Sequence, residues 1–434
     1  MDTSIRVDLP LLIASLALTL IGIAFIFSSG VTSTGVVYSS EYIKQSIWAV
    51  LGIGVLILCT LIDYTRYKEW SFRIYTINIL LLILTLIFGK VVNGSKSWLG
   101  IWELGIQPSE FMKVSTILFL SAFLERNKLI LTTWHGFLQA FCIVLLPMAL
   151  ILLQPDFGTA MVFIPLFFFI VFAAGAKMEH ILFFLLTGLL TLLLIILPVY
   201  GNLLAKRTPP LFVRLGDPDV VTMLMIASLG IAFFSFLGLW ITKKRYLYGS
   251  GYAGLILFLA GGASLVSRKF LKSYQLMRLI VFLNPTVDPK GAGWNILQSI
   301  TAVGSGGFSG KGFLKGPHSH FQYIPQQSTD FIFSIIAEEW GFLGSLLILV
   351  LFGIILFRGI RIMLVTKDPF AYLASAGICG MIFFHFMINV GMAIGIMPIT
   401  GIPLFFLSYG GSSLITVMIS VGLLLNFHLR RYRY

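Results

Sequence analysis

Charged residues are scarce in this chain. Of 434 residues, 11% are Asp, Glu, Lys or Arg and 58% are hydrophobic, whereas about a quarter of the residues in a soluble globular domain are charged. This composition excludes a soluble globular protein. Apolar runs of about 20 residues recur along nearly the whole chain, which suits membrane-spanning helices, and a transmembrane barrel would instead show short alternating strands. The sequence therefore predicts an all-α, polytopic transmembrane helix bundle.

Cysteine is also rare. Cys59, Cys142 and Cys379 lie within apolar runs, and no two of them have the spacing of metal ligands. We predict three buried thiols. The paired His318 and His320 stand in a loop, where such pairs are usually incidental, so the sequence predicts no metal site built from protein side chains alone.

Acidic residues are fewer than basic ones, 17 against 30, and the net charge is +13. Such a charge could indicate a nucleic-acid partner. However, the basic residues lie in short loops between the apolar runs and in the C-terminal tail HLRRYRY, as the positive-inside rule expects of a membrane protein. We therefore predict no nucleic-acid partner, contact with membrane lipid, and both termini in the cytoplasm.

The lengths of the apolar runs predict about twelve spans in one integral-membrane domain, 1–434. These spans lie near residues 9–29, 46–63, 74–91, 108–125, 137–154, 158–175, 180–200, 221–241, 251–267, 331–357, 371–396 and 403–427. One connection is much longer than the others. Residues 268–330 are predicted to form a long extracytoplasmic loop, and loops of that length are usually functional.

The stretch TDFIFSIIAEEWG carries three carboxylates into a predicted span. Asp330 precedes the apolar run and could be a helix N-cap. A cap does not explain Glu338 and Glu339, which lie more than two turns further along. On an ideal helix, Glu338 falls within about 80° of Asp330, and Glu339 falls on the opposite face. Because ionisable residues within spans are costly and usually functional, we predict that Asp330 and Glu338 line a polar cavity.

The glycine-rich string GSGGFSGKGF, residues 304–313, could be mistaken for a phosphate-binding loop. The Walker pattern requires glycine where Ser305 stands and Ser or Thr where Gly312 stands. Nucleotide binding is therefore rejected. Two interpretations stay open: a flexible outer loop, or backbone amides and Lys311 placed near a lipid phosphate.

The string QPSEFMK, residues 107–113, opens the fourth predicted span. Its Pro and Glu110 suit the first turn of a helix. Lys113 lies one turn deeper in an apolar helix and needs a partner, for which Glu110 at i−3 is the nearest candidate. Just before this string, Trp98 is either a residue of the membrane-interface belt or part of a site.

Two further polar residues receive structural interpretations. Asp156, in a tight connection between two predicted spans, is interpreted as a turn residue or helix cap. His385, within a predicted span, is interpreted as a hydrogen-bonded residue of the core.

The string NVGMAIGIMPITGIPLFFLSYGGSS, residues 389–413, resembles the signature of the RodA/FtsW/SpoVE family, whose members act in cell shape, elongation, division and sporulation. Further matching motifs are QPSE at 107–110, QPD.GTA at 154–160, FLNP..DP.GAG at 282–293 and TDFIF at 329–333. The glycine-rich string is most similar to the elongation members. Since relatives have about ten spans, the resemblance implies a two-helix insertion within 180–245.

The resemblance implies a peptidoglycan glycosyltransferase in the bacterial cytoplasmic membrane. Such an enzyme polymerises lipid II, an undecaprenyl-pyrophosphate-linked disaccharide pentapeptide, and works with a class B penicillin-binding protein. The essential carboxylate of the family corresponds to Asp330, which would act as general base. A divalent cation, Mg²⁺ or Mn²⁺, could hold the leaving pyrophosphate.

The same resemblance implies a set of substrate-binding residues. Many relatives carry Arg immediately before the loop tryptophan, but this chain has Ser97 there, so Lys96 would replace the arginine as a point charge. The predicted substrate-binding residues are Trp98, Lys96, Glu110, Lys113, Lys311 and Glu338. Two other functions stay open at this stage: a lipid II transporter (flippase), which would also place polar residues in broken helices, and a scaffold for cell-wall enzymes.

Overall fold

The computed structural model describes residues 7–92, 94–100, 105–127, 130–204, 214–270, 273–289, 291–321 and 323–431. Within these residues the chain forms fifteen α-helices and one β-hairpin. The helices are α1 (Leu9–Ser29), α2 (Glu41–Leu61), α3 (Tyr64–Phe88), α4 (Pro108–Arg126), α5 (Trp134–Leu153), α6 (Phe157–Ala173), α7 (Met178–Leu204), α8 (Pro218–Thr242), α9 (Arg245–Phe270), α10 (Ser273–Leu283), α11 (Ala292–Ser305), α12 (Pro317–His320), α13 (Ile332–Val365), α14 (Pro369–Ala393) and α15 (Gly411–Leu429). The antiparallel hairpin consists of β1 (Lys90–Val92) and β2 (Ser95–Trp98). The predicted all-α membrane bundle is confirmed.

Each of the twelve predicted spans coincides with a helix. Among the described residues, ten helices are long and apolar enough to cross a membrane. The other two are α6, which is shorter, and α4, which carries Glu110 and Lys113. Helix α4 packs against α3, α5, α6, α14 and α15 and is buried along most of its length. A helix shielded by its neighbours in this way can carry a charged pair that lipid would not tolerate.

The chain divides into two compact units where the sequence predicted one domain. One unit comprises Met1–Ala176 with Gln298–Tyr434, and the other comprises Lys177–Leu297. The second unit holds α7 and α8, the pair of helices predicted as an insertion. The predicted loop 268–330 contains the short helices α10, α11 and α12, and its location outside the cell stays a prediction.

The cysteine prediction is wrong at one position. Cys59 and Cys379 are buried, but Cys142 is exposed. Helix α5 buries Phe137, Ala140 and Val144 against its neighbours. Cys142 lies on the opposite face of that helix, about 200° from Ala140, so an apolar run alone did not reveal which of its faces packs.

The two ends of the chain meet at one end of the first unit. Asp8 accepts hydrogen bonds from Arg358 at the end of α13, and Arg430 donates to the carbonyls of Thr60 and Leu61 at the end of α2. Because α13 runs from Ile332 to Val365, Asp330 lies at the other end of this helix. Asp8 and Arg430 therefore lie on one side of this unit, and the location of both termini in the cytoplasm stays a prediction.

Helix α13 is broken at Gly341, which has φ 63° and ψ −154°. A break inside a membrane helix leaves carbonyl and amide groups without helical partners, and each unpaired group costs several kcal/mol in a low-dielectric interior, of order 2–7 kcal/mol. Residues 306–312, here named the glycine splint, supply those partners. The backbone bonds are Lys311 N to Glu338 O at 3.1 Å, Gly312 N to Glu339 O at 2.9 Å, Phe342 N to Gly307 O at 2.9 Å and Leu343 N to Phe308 O at 3.1 Å.

The splint bears on the two interpretations of the glycine-rich string. Two of its amides and two of its carbonyls pair with the broken helix, which does not fit a flexible loop. The placement of Lys311 near a lipid phosphate stays a prediction. Glycine is required because the two backbones approach closely. A Cβ at Gly306 would collide with the carbonyl of Ala337, and one at Gly310 with the carbonyl of Glu339.

Gly341→Ala is expected to destabilise the protein by about 1–3 kcal/mol, because φ of 63° disfavours a side chain and a Cβ would lie 2.9 Å from Phe308 O. The measurement is the midpoint of thermal unfolding in detergent. The matched control is Gly353→Ala in the second half of α13, where a Cβ meets nothing within 4 Å. That change is expected to be neutral or stabilising, because alanine favours a helix. Equal destabilisation of both variants would contradict this account of the break.

Candidate functional site

Asp330 lies in the turn that leads into α13. Its backbone N donates to Gln326 O at 3.0 Å, and the N-cap of the helix is Phe331. The N-cap interpretation of Asp330 is therefore wrong by one residue. The side chain is partly exposed and faces the loop between α14 and α15, where a Cβ placed on Gly401 would lie 3.7 Å from Asp330 Oδ2. Gly401 has φ +72°, a backbone conformation that glycine adopts readily.

Asn389 holds the backbone of Asp330 in place. Its Nδ2 donates to Asp330 O at 2.8 Å and to Ile402 O at 2.9 Å, and the Asn389 side chain is fully buried. One amide group therefore joins the turn before α13 to the loop before α15. The carboxylate of Asp330 projects from a backbone that is fixed on the buried side.

Lys113 lies in an enclosed polar cluster on α4. Its Nζ is 2.8 Å from Glu110 Oε1 and 3.1 Å from His385 Nε2, and the ammonium lies 5.2 Å from the centre of the Phe405 ring. His385 Nδ1 is 3.0 Å from Pro403 O. Since a carbonyl only accepts, Nδ1 carries the proton and Nε2 accepts from the ammonium. The predicted pairing of Lys113 with Glu110 is confirmed, as is the interpretation of His385 as a hydrogen-bonded core residue.

The lysine cluster and Asp330 are connected through one loop. His385 and Asn389 are one turn apart on α14, and they bind the adjacent carbonyls of Pro403 and Ile402. The cluster therefore fixes the same short segment that faces Asp330. Lys113 is fully buried and Glu110 is 2% exposed, so this geometry supports a role in positioning the loop, and their direct contact with substrate stays a prediction.

Gln107 brings three of the sequence motifs together. Its backbone N donates to Ser412 Oγ at 2.9 Å, and its Nε2 donates to Asp156 Oδ2 at 2.8 Å. Asp156 is the N-cap of α6, because Oδ1 accepts from Thr159 N at 3.1 Å, which confirms the cap interpretation. Burial raises the pKa of the Asp156 carboxyl, and the hydrogen bonds from Thr159 and Gln107 oppose that shift.

Glu338 and Glu339 attach residues 311–318 to the first half of α13. Both are fully buried. Glu338 accepts from Lys311 Nζ at 3.2 Å, from His318 N at 3.1 Å and from His318 Nδ1 at 2.8 Å. Glu339 accepts from Ser28 Oγ at 2.5 Å and from Leu314 N at 3.0 Å.

The structure does not place Glu338 in a cavity with Asp330. The helical-wheel argument fails because α13 begins at Ile332 and Asp330 precedes it. Glu338 instead accepts hydrogen bonds from Lys311 and His318, so Lys311 and Glu338 bind each other within the protein. Their predicted contact with substrate stays a prediction.

Trp98 and Lys96 belong to the hairpin strand β2. Lys96 Nζ donates to Ile87 O at 3.0 Å, near the end of α3, and Lys96 N donates to Gln154 O at 3.0 Å. A Cβ on Gly105 would lie 2.9 Å from the Trp98 ring. The contacts of these two residues attach the hairpin to α3 and α5, and the phosphate role of Lys96 stays a prediction.

The fold and this site together define a polytopic membrane protein in which two of the motifs, TDFIF and the string 389–413, meet at one partly exposed carboxylate. The model of the cell cycle protein family FtsW/RodA/SpoVE matches residues 9–207 and 211–433. The chain belongs to this family.

Several relatives have names or structures. The chain is 46% identical to the peptidoglycan glycosyltransferase RodA of Treponema pallidum, over 98% of each chain. It is 35% identical to the stage V sporulation protein E of Bacillus subtilis, over 96% of each. Among solved structures, it matches a chain from a study of polymerization and crosslinking by a peptidoglycan synthase complex, with TM-score 0.69, 25% identity and 99% of both chains covered. Thermus thermophilus RodA shares the fold, with TM-score 0.60, 24% identity and 98% of both chains covered.

Lys113→Met is expected to destabilise the protein by about 3–5 kcal/mol, because it leaves the buried Glu110 carboxylate unpaired. Unfolding in detergent measures the loss. The control is Lys68→Met, which removes an ion pair with Glu125 at a partly exposed position, with side chains 28% and 14% exposed. Such a pair contributes about 1 kcal/mol or less. If both variants lose the same stability, the Lys113 cluster is not the satisfied buried network described above.

Proposed function

We propose that this protein is a peptidoglycan glycosyltransferase of the bacterial cytoplasmic membrane, which polymerises lipid II into glycan strands during cell elongation, and that Asp330 is its general base. One observation carries the assignment of Asp330. Glu110, Glu338 and Glu339 are buried, whereas Asp330 is partly exposed on a backbone held by Asn389. The name of the Treponema pallidum relative supports the activity.

The proposed reaction needs a base at an immobile position. The acceptor hydroxyl attacks the anomeric carbon of the lipid-linked sugar, and the bond from that carbon to the pyrophosphate oxygen breaks. Asp330 takes the proton of the attacking hydroxyl, and the pyrophosphate leaves with the bonding electron pair. A base acts within about 2.6–3.2 Å of the proton donor, so the bond from Asn389 to the backbone of Asp330 would serve to position that base.

A divalent cation remains part of the proposal. Among the described residues, no group of three or more His, Cys, Asp or Glu side chains is placed to hold a metal ion. Mg²⁺ commonly uses one or two carboxylates together with substrate phosphates. An ion held mainly by the pyrophosphate oxygens would fit that pattern and would neutralise charge on the leaving group.

The partner is proposed to be a class B penicillin-binding protein. The structural match to a chain of a peptidoglycan synthase complex that couples polymerization to crosslinking supports a transpeptidase partner for this chain. A transpeptidase would use the glycan strands as they leave the site.

Asp330→Asn is expected to abolish polymerisation of lipid II by the purified protein while its unfolding midpoint stays close to that of the wild type. The asparagine keeps the size of the side chain and removes the base. Glycan products separated on a gel give the readout. The control is Asp219→Asn at an exposed position in the first turn of α8, which should leave the product yield unchanged. Polymer made by Asp330→Asn, or movement of labelled lipid II across a bilayer without any polymer, would contradict the proposal.

Asn389→Leu is expected to slow polymerisation on the order of 10–100-fold, because loss of both hydrogen bonds lets the base shift, and a misplacement of about 1 Å is that costly. The KM for lipid II should change little, since Asn389 is buried. Initial rates at several lipid II concentrations test this. The control Asn78→Leu removes a bond within α3, from Nδ2 to Ile74 O, and should retain the rate. A normal kcat in Asn389→Leu would remove Asn389 from the account of Asp330.

A further inference from the structure

A cavity of about 530 Å³ opens at the end of the first unit where both termini lie. This volume falls in the usual range of ligand sites, about 300–1,000 Å³. Its polar lining consists of Asp8, His428 and three arginines, Arg358, Arg361 and Arg431. It lies at the opposite end of α13 from Asp330, so it plays no part in the proposed chemistry.

The charge of this cavity is unbalanced. Its lining holds three guanidinium groups against one carboxylate. That carboxylate, Asp8, is 2% exposed and is engaged by Arg358, whose Nε and Nη2 lie 2.9 and 2.5 Å from Asp8 Oδ2, and by Leu11 N. Arg361 is exposed and forms no hydrogen bond or ion pair with the described part of the chain. The cavity therefore offers a net positive charge, with Arg361 available for an anion.

The remaining residues that line the cavity are apolar, and several of them are exposed at the surface. Val7, Leu9 and Val365 border the arginines, and Leu9 is 59% exposed. A soluble anion would gain nothing from these side chains. An amphipathic ligand would place its anionic group on the arginines and its hydrocarbon against the apolar wall, as in basic pockets between membrane helices that bind lipid headgroups.

We propose that this cavity binds the headgroup of an anionic phospholipid. The planar guanidinium of Arg361 suits a phosphate, which it can bind through two hydrogen bonds. Arg358, fixed by Asp8, would border the headgroup. On the predicted orientation of the chain, the lipid comes from the inner leaflet, the leaflet rich in anionic lipid.

Native mass spectrometry of the detergent-solubilised full chain tests the proposal, with dioleoylphosphatidylglycerol, dioleoylphosphatidylcholine and inorganic phosphate as probes. The wild type should bind phosphatidylglycerol more tightly than phosphatidylcholine. Arg361→Gln should weaken phosphatidylglycerol binding about fivefold, the usual contribution of one arginine near an anionic lipid surface. The matched control is Arg66→Gln, another exposed arginine at this end of the first unit, which does not line the cavity; its affinity should stay within about twofold of the wild type, because it keeps all the cavity arginines.

Two results would overturn the proposal. The first is an equal loss of phosphatidylglycerol binding in Arg361→Gln and Arg66→Gln, which would show only general attraction to a basic surface. The second is displacement of phosphatidylglycerol by millimolar inorganic phosphate together with equal affinity for the two lipids. In that case the arginines serve a soluble phosphate, and the apolar wall contributes nothing. Unfolding midpoints equal to that of the wild type exclude misfolding as the cause of a loss.

Discussion

Non-helical backbone inside a membrane bundle must find hydrogen-bond partners in the protein, because lipid supplies none. This chain meets that constraint at two places in the first unit. The glycine splint pairs with the two halves of α13, and Asn389 with His385 pairs with the loop before α15. Irregular backbone is what places a partly exposed carboxylate before the helix instead of along it. The site around Asp330 therefore depends on hydrogen bonds that lie outside it.

The ionised groups of the first unit fall into two kinds. Lys113 with Glu110 is a buried pair, and Glu338 is a buried carboxylate that binds the partly exposed Lys311; the further bonds of both pairs attach to backbone or histidine. Such pairs contribute little net stability, but a conformation that separates the two charges is unfavourable because it leaves a buried charge unpaired. Asp330 belongs to the other kind, since its side chain is partly exposed and its backbone is held by hydrogen bonds. The buried charges thus fix the position of a loop, and the partly exposed Asp330 is the carboxylate proposed to react.

Much of this organisation was predictable from the sequence. Apolar runs located twelve of the fifteen α-helices in the described part of the chain, and spacing of i−3 gave the partner of Lys113, since both features are local. The failures concern what is not local. Packing decides which face of α5 is buried, and the sequence did not show that Cys142 lies on the exposed face. The splint pairs with residues some thirty positions further along the chain. The helical-wheel prediction for Glu338 failed because Asp330 precedes α13 and is not part of it. Nothing in the sequence around Lys96 indicated that its ammonium group would bind a backbone carbonyl near the end of α3.

The break at Gly341 has a mechanical consequence. It separates a short rod, Ile332–Trp340, from the long remainder of α13, and Glu338 and Glu339 fasten that rod to residues 311–320. Asp330 stands two residues before this rod, on a backbone held by Asn389. The hydrogen bonds that hold residues 311–320 therefore also fix the short helix that begins just after the reactive group.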